Sequence, residues 1–284
     1  MLLPGPEAQQ LATYIGWLLH RTWGGIVAGA LFVLPSLFIL MALSWVYLRF
    51  GDVPVVAGIF YGIKPAVTAL VLHAAHRIGS RALKNGWMWG IAALAFVAIF
   101  AFDTPFPVIV LAAALIGHFG ARWSPGVFAL GGGHGAAKQS YGPALIDDDT
   151  PTPAHARFSR SHLAKILATG LGLWALAMGL LVAVQGVDGT LTQMGWFFTK
   201  AALLTFGGAY AVLPYVYQGA VEHHQWLSGA QMIDGLALGE TTPGPLIMVA
   251  AFVGFVGGWL KQVLGPDALF LGGALAAAVV TFFT

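Results

Sequence analysis

Lys200 is the residue whose type and position point most directly to chemistry. It is the single charged residue between Asp188 and Glu222, in an otherwise apolar stretch. A charge within a membrane-length apolar segment is costly, and it usually faces a cavity or a charged partner. In that case Lys200 would attract an anion. The alternative is that its long side chain carries the ammonium group to a nearby interface.

A glycine-rich segment follows Lys200 and is predicted to interrupt the helix. Phe206, Gly207 and Gly208 stand two residues before Tyr210. Glycine adopts backbone conformations that other residues avoid, so the chain can bend there. Backbone N–H groups exposed by such a bend attract anions. Together with Lys200 and Tyr210, this segment is a candidate seat for an oxyanion.

A second breaking motif occurs twice, as Pro4-Gly5-Pro6 and as Thr242-Pro243-Gly244-Pro245. Proline removes backbone donors and glycine loosens the helix. The freed polar groups cannot face lipid, so they must be buried or line a cavity. One such motif is explained by a kink packed against its neighbours. Two at matching positions favour the broken helices of a transporter, whose N-terminal ends bind anionic groups.

Carboxylates stand beside both copies of this motif. Glu7 directly follows the first copy, and Glu240 precedes the second by two residues. A carboxylate near an anion path can carry a coupling proton, although it can also pair with Lys200 or with a helix end. Lys64 is a candidate second cationic site unless it lies beside a helix break. Asp234 also lies in an apolar stretch, and its role stays open.

The composition then defines the solvent of the elements that carry these residues. The chain has 284 residues, of which 58% are hydrophobic and 8% are charged, and its mean hydropathy is +0.80. A soluble domain is about 25% charged, so lipid is the natural solvent here. No concentrated basic patch is present, which argues against a nucleic-acid partner.

Enzyme chemistry finds no support in the sequence. There is no cysteine, no His-Glu-x-x-His zinc pattern and no Gly-x-Ser-x-Gly serine hydrolase motif. We therefore expect no catalytic residues, no metal site and no cofactor.

Hydropathy predicts an all-α polytopic membrane protein. A transmembrane helix needs about 20 mostly apolar residues, and about eight segments approach or exceed that length. A shorter N-terminal piece, residues 4–19, is a partial helix. The segments are 23–48, 55–72, 86–102, 104–121, 163–187, 190–218, 228–260 and 268–284.

A polar stretch, residues 122–162, divides the chain into two membrane halves, residues 1–121 and 163–284. Its glycines, prolines and few aromatic residues are typical of a linker. Its Lys and Arg residues predict a cytoplasmic location.

The two Pro-Gly-Pro copies belong to a longer internal repeat. Each leads through an apolar helix and a glycine-rich turn into a second apolar helix. Seven hydrophobic segments separate Arg21 from Lys261, and an odd number of crossings predicts opposite orientations for the two copies. This count assumes that 190–218 and 228–260 each cross once, whereas either could instead be a re-entrant hairpin.

These motifs, in this order, resemble those of the chromate ion transporter family. The similarity covers almost the whole chain, through Leu34-Pro35-Ser36, the Phe206 segment and both Pro-Gly-Pro stretches. It implies efflux of chromate, or of a similar dianion such as sulfate, through the bacterial plasma membrane. It also implies substrate contacts for the two candidate motifs and Lys200. A passive anion channel, or a structural half that needs another subunit, are the alternatives.

The chain departs from the pattern of long family members at both ends. No Phe-Gly-Gly segment precedes the first Pro-Gly-Pro motif, and Thr284 comes before a counterpart of Leu34-Pro35-Ser36. An unpartnered broken helix would leave backbone groups unsatisfied in lipid. We therefore expect incomplete halves, with a homo-oligomer or a second subunit as a partner.

Overall fold

Long apolar helices make up most of the chain. A computed structural model describes residues 6–124, 126, 153–205 and 209–284, and no strand occurs in that part. Five helices are long and apolar enough to cross a membrane. This confirms the predicted all-α polytopic membrane protein. The helices are α1 (Glu7–Phe50), α2 (Pro54–Ala82), α3 (Gly86–Phe102), α4 (Phe106–Trp123), α5 (Arg160–Gln185), α6 (Thr190–Leu204), α7 (Ala209–Tyr217), α8 (Gly229–Thr241), α9 (Val249–Leu260) and α10 (Leu269–Phe283).

The chain forms two compact units. The first combines Met1–His73 with Phe158–Thr284, and the second is Ala74–Arg157. In the second unit, the side chain of Asn85 caps α3 by accepting a hydrogen bond from the backbone N–H of Met88. All the candidate site residues belong to the first unit. The division into two membrane halves by residues 122–162 stays a prediction.

Helix α1 is folded back on itself at Arg21. That residue has φ 55°, which breaks the helix into a short arm, residues 7–19, and a long arm, residues 22–50. The arms touch at glycines, because a Cβ atom at Gly16 would lie 2.5 Å from the carbonyl oxygen of Gly24. Small residues allow this close approach of two helices in lipid.

Helices α9 and α10 form a second hairpin of the same kind. It turns through residues 261–265, where Gln262 has φ 51°. A Cβ at Gly254 would lie 2.8 Å from the carbonyl oxygen of Ala276, and one at Gly258 would lie 2.7 Å from that of Gly272. Both copies of the repeat are therefore helical hairpins closed on glycine.

The segments 190–218 and 228–260 are also hairpins. The aromatic rings of Phe197 in α6 and Tyr215 in α7 stack with their centroids 4.8 Å apart. In the other pair, Gly235 of α8 lies against Phe252 of α9. Helix α6 has 15 residues, about 22 Å, which is short of a full crossing. The re-entrant alternative thus holds for both segments. If neither segment crosses the membrane, five crossings instead of seven separate Arg21 from Lys261. This number is still odd, so the predicted opposite orientation of the two copies is unchanged.

The two repeat hairpins turn at opposite ends of the long arm of α1. Ser36 in that arm lies against Gly244, and Tyr47 lies 5.6 Å from Phe252 by ring centroids. The arm therefore runs parallel to α9, which places the turn after α9 at the Phe50 end. The Arg21 turn lies at the other end. The two hairpins therefore run in opposite directions, as the predicted inverted repeat requires, and Lys261 lies at the Phe50 end.

The core of the first unit lies where these hairpins pack together. Its largest fully buried side chains include those of Trp226, Phe198, Phe252 and Phe255. In lipid, such close packing, rather than escape from water, holds helices together. The core thereby fixes the ends of the broken helices relative to one another.

Candidate functional site

The two Pro-Gly-Pro motifs lie at one cavity of about 270 Å³. Pro6 and Gln9, at the start of α1, line it from one repeat. Pro245 lines it from the other repeat, together with Thr281 and Thr284 at the end of α10. Motifs almost 240 residues apart in the sequence are therefore brought together. Pro4 and Gly5 lie outside the described residues.

Two helices begin at this cavity. Helix α1 starts directly after Pro6, and a short 3₁₀ turn, Leu246–Met248, starts directly after Pro245 and leads into α9. Among the residues that the structure describes, no side chain caps α1 or α9 at the N-terminus. The first N–H groups of a helix have no partner within it and carry partial positive charge. The cavity thus has two N-terminal helix ends, which favour a negative ligand.

Polar side chains that sequence reasoning missed lie at the same place. Gln9 Oε1 and Thr281 Oγ1 are buried atoms with no hydrogen-bond partner among the described residues. The hydroxyl of Ser36, which packs beside Gly244, is also buried and has no hydrogen-bond partner among the described residues. Buried polar groups normally have partners. The one sequence signal for these residues is that each is a polar residue within an apolar helix.

The second Pro-Gly-Pro motif is packed tightly. Gly244 has φ 143°, and a Cβ there would lie 2.7 Å from the Cβ of Ser36. Pro245 is buried, whereas Pro243 is exposed. The hydroxyl of Thr242 donates to the carbonyl oxygen of Gly239 at 3.0 Å. Thr242 therefore satisfies the C-terminal end of α8.

The structure brings Tyr210 and Glu240 together. The phenol of Tyr210 donates a hydrogen bond to Glu240 Oε1 at 2.5 Å, which joins α7 to α8. Glu7 is exposed in the first turn of α1. Phe206, Gly207 and Gly208 lie outside the described residues, between α6 and α7.

Lys200 is exposed and does not line the cavity. Its charge acts instead on His224, whose ring stacks on Trp226 with centroids 4.4 Å apart. Burial, followed by the charges of His223, Lys200 and Lys261, lowers the pKa of His224 to about 4. Lys200 and Lys261 therefore both act electrostatically on His224.

An ion pair lies elsewhere in the first unit. Lys64 Nζ in α2 is 3.0 Å from Asp234 Oδ1 in α8, and the phenol of Tyr47 in α1 donates to Asp234 Oδ2 at 2.9 Å. The sequence drew attention to Lys64 and Asp234 singly, but not to their pairing or to Tyr47. Within the described part of the chain, no three His, Asp or Glu side chains are placed to hold a metal ion.

An inverted repeat of broken helices, with two helix N-termini at an internal cavity, is an arrangement found in many secondary membrane transporters. The chain belongs to the chromate transporter family, whose model matches residues 1–118 and 192–284. The apolar helices and the bacterial relatives make it a multi-pass protein of the bacterial plasma membrane.

Two relatives show how far the similarity extends. The chain is 34% identical over 265 residues to a chromate transport protein of Pseudomonas aeruginosa, covering 90% of this chain and 55% of that protein. It is 30% identical over 282 residues to a chromate transport protein of Cupriavidus metallidurans, covering 99% of this chain and 59% of that protein. The chain therefore spans less than two thirds of the length of these relatives. No solved structure matches it.

Proposed function

We propose that this chain transports chromate, or a similar divalent oxyanion such as sulfate, and that the anion binds in the cavity between the Pro-Gly-Pro motifs. One observation carries the proposal. Both motifs, one from each inverted repeat, line the same small cavity, where two helices begin. The naming of two relatives as chromate transport proteins supports the choice of substrate.

The cavity suits a small anion. Its volume of about 270 Å³ equals that of about nine water molecules in the liquid. A tetrahedral dianion with a few waters fits such a space. Thr281 offers a hydroxyl as a donor, and hydrogen bonds to charged groups are stronger than neutral ones. Chromate and sulfate share shape and charge, so we expect them to compete.

The remaining predicted residues act around the cavity in this proposal. Lys200 and Lys261 form an outer cationic group that concentrates anions near the protein surface. Phe206, Gly207 and Gly208, which lie outside the described residues, remain candidate contacts for the anion. Glu240, held by Tyr210, and Glu7, beside the cavity end of α1, are candidate proton carriers. The direction proposed is efflux.

Chromate accumulation in cells that express the chain tests this proposal. Cells with an empty vector serve as the control, and membrane insertion is checked by fractionation. Lower accumulation than in the control supports efflux, and higher accumulation indicates uptake. Anion conductance without coupling to an ion gradient would show that the chain is a passive anion channel instead of a transporter. Unchanged accumulation with confirmed insertion would contradict transport of chromate by this chain.

A further inference from the structure

Asp234 is a buried carboxylate that the proposed transport path leaves unassigned. Its side chain is 6% exposed, and it lies in α8, the first helix of the α8–α9 hairpin. Lys64 contacts one of its oxygens at 3.0 Å, and Tyr47 donates to the other at 2.9 Å. The three residues come from three different helices, so this cluster joins α1, α2 and α8.

The surroundings of the cluster are apolar. The ring of Tyr47 lies 4.9 Å from that of Phe60 and 5.6 Å from that of Phe252. An ionised carboxylate buried in such a place is unfavourable unless a cation stays beside it. Intramembrane charges of this kind usually belong to the working parts of a transporter. Asp234 must therefore be neutral, or paired, at every stage of any movement.

Lys64 is the partner that is able to leave. Its side chain is 41% exposed, in contrast to that of Asp234, and it ends a flexible four-carbon stem. The other contacts of Asp234 do not replace its charge. Tyr47 from α1 is a neutral donor, and α9 contributes the ring of Phe252 and has no titratable residue. Glu240, six positions further along α8, is bonded to Tyr210.

Helix α8 connects this cluster to the cavity. It begins five residues before Asp234 and ends just before the Pro-Gly-Pro motif that lines the cavity. In many transporters, access alternates when one repeat or helix bundle moves against the other around the binding site. A movement of α8 away from α2 would separate Asp234 from Lys64. The carboxylate would then need another positive charge.

We propose that Asp234 is a proton-binding site of the transport cycle, occupied by the Lys64 ammonium group in this conformation and by a proton when α8 moves away from α2. This rests on the proposed transport function and assigns its coupling ion. One proton from water binds the oxygen that Lys64 leaves. Lys64 keeps its own protons and its charge. Proton binding and ion pairing therefore exclude each other at one carboxylate.

Infrared titration of the purified chain in lipid tests the proton site without any substrate. We expect a protonated-carboxyl C=O band that appears on acidification and is absent in Asp234→Asn. In Lys64→Gln, which removes the competing cation, the band should be stronger than in the wild type at the same pH. The double variant has no unpaired charge and keeps the fold, and it should lack the band. Asp188→Asn, at an exposed position, is the control. A band unchanged in Asp234→Asn would overturn the assignment.

Chromate flux in proteoliposomes then tests the role in coupling. Asp234→Asn mimics the protonated state and removes the exchangeable proton, and tracer exchange at equal pH is measured beside gradient-driven flux. Flux driven by a pH gradient should fall at least tenfold. Gradient-driven flux that survives in Asp234→Asn would overturn the coupling role. If the wild type moves no chromate in either assay, the proposed function fails, while the infrared titration still decides the proton site.

Discussion

Gly244 occupies a position that other residues fill only with strain. Its φ of 143° is rare for residues with a side chain, and a Cβ would lie 2.7 Å from that of Ser36. Conformational strain of this kind costs about 1–3 kcal/mol. At about 2–4 °C per kcal/mol for a protein of this size, we expect Gly244→Ala to lower Tm by roughly 2–12 °C. Thermal unfolding in detergent measures this.

Gly62→Ala is the matched control for this substitution. Gly62 lies within helix α2, and a Cβ there would meet no atom within 4 Å. Alanine is the better helix former by about 1 kcal/mol, so the control should keep or slightly raise Tm. Equal Tm values for the two variants would contradict the tight packing of Gly244 on Ser36.

Single residues near the breaks were predictable to different degrees. The two Pro-Gly-Pro motifs could be found because proline and glycine mark helix breaks in any context. Gln9 and Thr281 could not, because a polar residue in an apolar helix gives no sign of which face it occupies. Tyr47 was missed for a related reason. Its role depends on a contact with Asp234, 187 positions away.

At the scale of elements, the long spans were predictable and the re-entrant hairpins were not. An apolar segment such as 190–218 has the same composition whether it crosses once or enters and returns. The contact of Phe197 with Tyr215 shows that it returns. The turns also lacked a strong signal. Arg21 and Gln262 both adopt positive φ, a conformation that sequence patterns assign to glycine or asparagine.

His224, in the connection between the α6–α7 and α8–α9 hairpins, makes the stability of the protein depend on pH. The pKa of His224 is lowered from 6.5 to about 4, first by burial and then by His223, Lys200 and Lys261. Between these values the unfolded chain binds more protons than the folded one, so stability falls as pH decreases from 6.5 to 4. We expect Tm to decrease over this range. The decrease should be smaller in His224→Gln.

The exposed residue His76 provides the control for this effect. His76→Gln should leave the pH dependence of Tm as it is in the wild type. A His224→Gln profile that coincides with the wild-type profile would show that this histidine has no part in the acid response.

At the scale of the whole molecule, the inverted repeat determines on which side of the membrane each hairpin turn lies. The chain has no cysteine, so a single introduced cysteine can be labelled without background from native cysteines. We expect His20→Cys and Gln262→Cys, one at each repeat turn, to react with a membrane-impermeant maleimide from opposite sides. Asp188→Cys should react from the same side as Gln262→Cys. Labelling of both turns from one side would contradict the inversion.

Composition and the order of motifs were enough to predict the class of protein and its family. They could not show that both Pro-Gly-Pro motifs line one cavity, because this depends on the packing of α1 against α9 and α10. The odd number of crossings stays a prediction, and it is unchanged when the two hairpin segments are removed from the count. The separation of the chain into halves at residues 122–162 stays a prediction.

The central claim is that one cavity, built by both repeats, binds the transported oxyanion. The most direct measurement is the concentration dependence of radioactive chromate uptake by proteoliposomes that contain wild type, Thr281→Val or Thr281→Ser. A hydrogen bond to a charged group is worth about 1.5–3 kcal/mol, so Thr281→Val should weaken apparent affinity at least tenfold. Thr281→Ser, which keeps the hydroxyl, should match the wild type. Uptake that does not saturate in the wild type, or equal affinity in Thr281→Val, would contradict the account.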